Sequence, residues 1–174
     1  MRARLTNGRP ERKLLLTVSR LAPEKNVGFL ADVACAFPNA CLAIVGDGPA
    51  RADLERRFQG VDANFIGYLK GQELAAAYAS ADAFVFASET ETMGNVVLEA
   101  MAAGVPAIAY AVGGVVDVAG SPEALALVPE ARRQDMIDRM LKLLADSEAR
   151  RVLIERGRQR ARDFSLRSAV GLKL

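Results

Sequence analysis

Five short apolar runs recur along this chain, and segments patterned for helix separate them. The runs are Leu14-Leu15-Leu16-Thr17-Val18, Cys41-Leu42-Ala43-Ile44-Val45, Asn64-Phe65-Ile66, Ala83-Phe84-Val85-Phe86 and Pro106-Ala107-Ile108-Ala109. None shows the period-two alternation of a strand with one wet face. Continuous apolar strands are buried on both faces, and parallel neighbours need a crossover between them. Strand–helix alternation of this kind predicts a Rossmann-like α/β domain, three layers deep, with a parallel sheet covered on both sides. A length of 174 residues suits one such domain.

The helices are expected over about 26–37, 49–58, 71–79, 96–103, 135–145 and 147–163. Asn26 is a suitable cap for the first, which Pro38 ends; Pro49 opens the second. In the fifth, Met136, Ile137, Met140, Leu141 and Leu144 form an apolar stripe. Parallel sheets bind ligands where loops leave the carboxyl ends of their strands. That directs attention to residues 19–26, 46–49, 67–71, 88–95 and 110–115.

Composition narrows the chemistry. The chain has no histidine. A Ser-His-Asp triad, a Cys-His pair, a histidine-ligated zinc and an imidazole base are therefore excluded. Catalysis by this chain would rest on carboxylates, Arg or Lys, backbone dipoles or a bound ligand. Cys35 and Cys41 sit in apolar surroundings and read as small core residues, too few for a zinc site. No apolar run is long enough to cross a membrane, and no apolar leader opens the chain, so the cytoplasm is the expected compartment. A net charge of +2 argues against nucleic acid as a partner. Over residues 132–167, ten arginines and one lysine stand against six acids. A solvated helical surface is the plainer reading of that surplus, and peripheral contact with an anionic membrane the next.

Three constellations lie in the expected ligand loops. Gly46-Asp47-Gly48-Pro49-Ala50-Arg51 has Arg51 where a dinucleotide fingerprint has its third glycine, and it follows the second strand, so it reads as a tight turn. Arg20 and Lys25 follow the first strand and could clamp a diphosphate, or belong to an ordinary surface loop. Glu91 precedes the fourth helix, and Glu99 falls in its first turn if Asn95 is the cap. Between them lie Met93, Gly94, Asn95 and Val96, whose N–H groups would point from the helix N-terminus toward a phosphate. Two carboxylates flanking such a position could accept sugar hydroxyls. They could equally be a loop acid and a dipole-complementing acid.

The segments VSRLAPEKN, AIVGDGP, FIGYL, YASADAFVFASETETMGNVVLEAMAAGVPAIA and GGVVD occur here in one order. Together they resemble the C-terminal, nucleotide-sugar-binding domain of family 4 (group 1) retaining glycosyltransferases, one half of a GT-B fold. The resemblance runs over about residues 12–167 and is closest to the sulfoquinovosyltransferase and mannosyltransferase-like branch. It implies that Arg20 and Lys25 bind the donor diphosphate, Glu91 the transferred sugar and Glu99 the ribose. It places the backbone of Met93, Gly94, Asn95 and Val96 on sugar and phosphate, and Gly67, Tyr68 and Leu69 by the nucleobase. Arg20, Lys25 and Glu91 are then the candidate catalytic residues. The implied donor is a nucleoside-diphosphate sugar, with UDP-sugar favoured, the acceptor a lipid or glycan, and the chemistry metal-independent with no cofactor.

Family enzymes carry a second, N-terminal acceptor domain, often with a histidine near the reacting centre; this chain matches neither. It is expected to bind nucleotide without transferring sugar efficiently. Residues 1–11 read as an interdomain linker, and 168–174 as a truncated C-terminal segment. Ser19 stands for a more usual glycine and Met93 for Phe or Leu. A non-catalytic Rossmann-like interaction module is the alternative, and an epimerase or phosphorylase of related fold a third.

Overall fold

The computed structural model describes residues 1–121 and 123–169. Six parallel strands form one sheet: β1 (Lys13–Val18), β2 (Ala40–Val45), β3 (Ala63–Gly67), β4 (Ala83–Phe86), β5 (Ala107–Tyr110) and β6 (Ala126–Val128). Their order is β3-β2-β1-β4-β5-β6, the doubly wound arrangement of a Rossmann-like fold. The apolar runs form its centre. Every residue of β2, β4 and β5 is buried, as are the last five of β1.

Among the described residues, eight α-helices accompany the strands: α1 (Arg2–Leu5), α2 (Leu30–Ala36), α3 (Arg51–Arg57), α4 (Gly71–Ser80), α5 (Asn95–Ala103), α6 (Gly114–Ala119), α7 (Arg133–Ala145) and α8 (Ser147–Ala169). Chain order reverses between β1 and β4. There the pairing covers only Leu15↔Ala83 and Leu16↔Phe84, whereas β1 and β2 pair over six residues. Beyond Leu16 the pairing of the two central strands ends, and the loops that follow them lie on the carboxyl edge.

Several local expectations shift. Residues 1–11, expected as a linker, are packed on the domain: Leu5 is fully buried, and the Arg2 guanidinium reaches the Ser80 carbonyl (2.5 Å), the Arg12 carbonyl (2.6 Å) and Asp82 (2.7 Å). Of the segment 168–174, residues 170–174 lie outside the described residues. Asn26 adopts a left-handed conformation and does not cap α2; a 3-10 turn, Val27–Phe29, comes first. Cys35 is exposed, because α2 buries Leu30, Ala31, Val33 and Ala34 and turns position 35 outward. Cys41 is buried, and that burial, with Asp62 nearby, pushes its thiol up to about 11. In α7 the buried stripe is Met136, Met140 and Leu143, with Leu141 on the exposed side.

The basic α8 is tied down by its own arginines. Arg160 donates to the carbonyls of Val118 (2.9 Å) and Asp117 (2.5 Å) at the end of α6, and Arg158 to Ala103 at the end of α5. Cations at helix C-termini meet the negative end of the dipole. Arg151 pairs with Glu148 and Glu155, and Arg156 with Glu123. Much of the charge surplus is therefore engaged within the domain, in keeping with a structural surface. No described helix is long and apolar enough to cross a membrane.

Candidate functional site at the sheet's carboxyl edge

Four loops meet along this edge, and backbone contacts stitch them into a row. Leu21 N–H donates to Asp47 (2.9 Å) and Ala50 N–H to Leu21 (3.0 Å), joining the loops after β1 and β2. A Cβ at Gly46 or Gly48 would overlap the carbonyl of Ser19 or Leu21, so close approach requires glycine at both, and Gly46 also has φ +131°. The loop after β4 joins from the other side. Glu89 N–H donates to the Glu24 carbonyl (3.1 Å), and the Asn26 amide donates to Glu89 (3.0 Å). The loop after β5 closes the row: Gly114 N–H donates to the Glu91 carbonyl (2.9 Å), against which a Cβ at Gly113 would collide.

Lys25 and Glu91 face each other across the switch point. Lys25 Nζ lies 3.0 Å from Glu91 Oε2 and 3.2 Å from the Thr90 carbonyl, with both side chains less than a fifth exposed. The other carboxylate oxygen accepts three backbone N–H groups, from Thr92 (3.1 Å), Met93 (3.3 Å) and Gly94 (3.3 Å). Burial works against the charge on Glu91. The Lys25 hydrogen bond and the Gly94 and Met93 amides outweigh it, so this carboxyl titrates below the ordinary glutamate range.

The expected phosphate seat is thus partly occupied from within. Of the four residues whose amides were expected to meet the donor, Met93 and Gly94 turn theirs to Glu91. Asn95 and Val96 keep N–H groups with no described partner. The cap of α5 is Gly94, at φ +67°, not Asn95. The loop enters the helix through a left-handed turn packed on Gly114 and Val118, which glycine accommodates. That moves Glu99 into the second turn. Arg20 is exposed and, among the described residues, has no side-chain partner. Its position in the loop after β1 puts it on the same edge as Lys25.

Glu99 lies over the neighbouring helix. Tyr78 Oη, on α4, donates to Glu99 Oε2 (2.9 Å) and lies 3.2 Å from the Val96 carbonyl. A groove of about 530 Å³ between α4 and α5 is lined by this pair together with Gly71, Leu74, Ala75, Ala79, Ala102 and Ala103. Of the three residues expected by a base, Gly67 ends β3 and Tyr68 is 67% exposed. The Tyr68 hydroxyl leans on the Asp47 carbonyl (3.3 Å), while Leu69 turns into the core. The residues sequence reasoning passed over are Tyr78, Asn26 and Glu89. Tyr78 had one signal: a tyrosine buried in an alanine-rich helix requires a partner for its hydroxyl. Among the described residues no group of three or more His, Cys, Asp or Glu could hold a metal ion.

The fold and this edge define a Rossmann-like α/β domain whose topological switch point brings Lys25, Glu91 and the start of α5 together, with Arg20 on the same edge. The family model described as glycosyl transferases group 1 matches residues 4–160, and the chain belongs to that family. Sulfoquinovosyl transferase SQD2 of Arabidopsis thaliana is 40% identical over 181 residues, covering 97% of this chain and 34% of that protein. A GDP-mannose-dependent alpha-mannosyltransferase of Mycolicibacterium smegmatis is 49% identical over 108 residues, covering 62% of this chain and 27% of that protein. Among solved structures, sucrose-phosphate synthase (tll1590) from Thermosynechococcus elongatus superposes with a TM-score of 0.83 at 30% identity, over 94% of this chain and 44% of that one. The match thus spans between about a quarter and a third of the length of these two curated relatives.

Proposed function

We propose that this chain is the donor-binding half of a retaining glycosyltransferase. It would hold a nucleoside-diphosphate sugar for transfer to a lipid or glycan on a second, acceptor-binding domain. The observation that carries the reading is the meeting of Lys25, Glu91 and the start of α5 at the β1/β4 switch point, with Arg20 on the same edge. When the glycosidic bond breaks, negative charge grows on the leaving diphosphate. Arg20, Lys25 and the N–H groups of Asn95 and Val96 would oppose that charge in place of a metal ion. Glu91 would accept hydroxyls of the transferred sugar and Glu99 those of the ribose. UDP-sugar is the favoured donor on the family resemblance; the name of the mycobacterial relative specifies GDP-mannose.

Calorimetric titration of the 174-residue chain with UDP, GDP and ADP tests the reading. Binding of one of them, with little sugar transfer by the chain alone, is expected. A folded sample that binds none of the three would defeat it. A cytoplasmic enzyme working at the membrane surface is the proposed setting. Co-sedimentation with anionic vesicles, present at low salt and lost at high salt, is the matching outcome.

A further inference from the structure

We infer that Tyr78 is a positioning residue for the nucleotide: its hydroxyl holds one oxygen of Glu99 so that the other is presented to the ribose hydroxyls. The inference rests on the ribose role proposed for Glu99. Tyr78 is 2% exposed, whereas Glu99 is an exposed residue. The ring is set by packing, with its centroid 5.7 Å from that of Phe84 on β4, which is itself fully buried. The hydroxyl has a single proton and two acceptors in reach, Glu99 Oε2 at 2.9 Å and the Val96 carbonyl at 3.2 Å. A carboxylate is the stronger acceptor and takes it at the shorter distance. Val96, inside α5, has its carbonyl in the helix ladder and does not depend on the tyrosine.

Other features agree. Burial, and then the charge of Glu99, push the Tyr78 hydroxyl far above the ordinary tyrosine range, so it remains a donor. Apart from Tyr78, no residue lining the α4–α5 groove offers a side-chain donor to Glu99. The second oxygen of Glu99 has no partner among the described residues. An exposed glutamate ordinarily samples many rotamers. Ordering it before the ligand arrives removes part of the entropic cost of binding.

The test compares one nucleoside diphosphate, whichever of UDP, GDP or ADP binds best, with its 2′,3′-dideoxy counterpart. Dissociation constants are measured for the parent, Tyr78→Phe, Glu99→Ala and the double variant. The parent is expected to prefer the ribose form. Tyr78→Phe should weaken the ribose form about three- to tenfold and leave the dideoxy form within twofold, in line with loss of support from one charge-assisted hydrogen bond. Added to Glu99→Ala, Tyr78→Phe should change nothing. Equal losses on both ligands would make the tyrosine merely structural and overturn the inference, as would no loss on either. If Glu99→Ala keeps the parent's ribose preference, the ribose role of Glu99 fails and this inference with it. If that preference disappears in Glu99→Ala but survives in Tyr78→Phe, the inference alone fails.

Discussion

Glu91 and Glu99 bracket the start of the same helix, yet their carboxylates sit in opposite circumstances. Glu91 is largely buried and saturated, with Lys25 on one oxygen and three backbone amides on the other. Glu99 is exposed and holds one partner, Tyr78, on one oxygen. The difference comes from where each carboxylate sits relative to the helix end. Glu91 lies in the loop, where it can curl back onto the free N–H groups that any helix leaves at its start. Glu99 is a full turn inside, where the amides are already used, so only a neighbouring helix can supply a donor. The same acid is thus spent on its own loop in one place and keeps one oxygen without a described partner in the other.

The sharpest way to break this contrast is to delete each carboxylate. Glu91→Ala leaves a largely buried lysine without its counter-ion and three amides without an acceptor. It should cost about 3 kcal/mol of stability, the lower end for breaking a shielded pair. Glu99→Ala should cost under about 0.5 kcal/mol, as for an exposed side chain with one partner. Urea denaturation of both variants checks this, and equal costs would erase the distinction.

Gly113→Ala attacks the seat of Glu91 from outside. Its backbone has φ +42°, and a Cβ there would collide with the Glu91 carbonyl. A loss of about 2 kcal/mol is expected from the forced conformation and displaced loop. Thermal unfolding measures it, and an unchanged midpoint would mean that the loop after β5 does not brace Glu91.

Acid probes the seat of Glu91 more gently. The folded-state pKa of Glu91 is depressed, so its contribution is full above the unfolded value, about 4.3. It is lost as pH falls through that value toward the folded one. Glu91→Gln should flatten the stability profile below about pH 5, as read by urea denaturation across that range. Asp82 also titrates low: burial opposes its charge, but the Leu14 amide and Arg2 prevail. A residual acid slope is therefore expected in every variant that keeps Asp82.

How far the sequence carried this picture follows from the same geometry. Strands β1 to β5 were readable because each is an apolar run long enough to stand out. The three residues of β6 and the six of α6 were not, since each gives fewer than two full periods of pattern. The positions of Arg20, Lys25 and Glu91 on one edge followed from counting strands. What Glu91 does there did not, because spacing gives distance along a chain and not the rotamer that returns a carboxylate to its own loop. Tyr78 was passed over for a related reason. Its partner lies 21 residues away on another helix, and no periodicity links them. The cap of α5 was misplaced by one residue because Asn95 has the better capping side chain. The tight packing of Gly94 on α6 decided the matter instead.

An equally small expected effect on stability belongs to Arg20, and it carries the most about function. With no described partner, Arg20→Ala should alter stability by less than about 0.5 kcal/mol. The same change should weaken nucleoside diphosphate binding by about tenfold if the guanidinium meets the phosphates. Lys25 is different, because its ammonium is held by Glu91 and a diphosphate must compete for it. Releasing it by Glu91→Gln should therefore tighten a free nucleoside diphosphate while weakening the intact sugar nucleotide, whose hydroxyls the charged carboxylate would accept. Calorimetry with the two ligands reads both signs. Weakening of both alike would mean that the carboxylate and the diphosphate share no cation, and the contrast between a self-occupied Glu91 and a waiting Glu99 would lose its functional meaning.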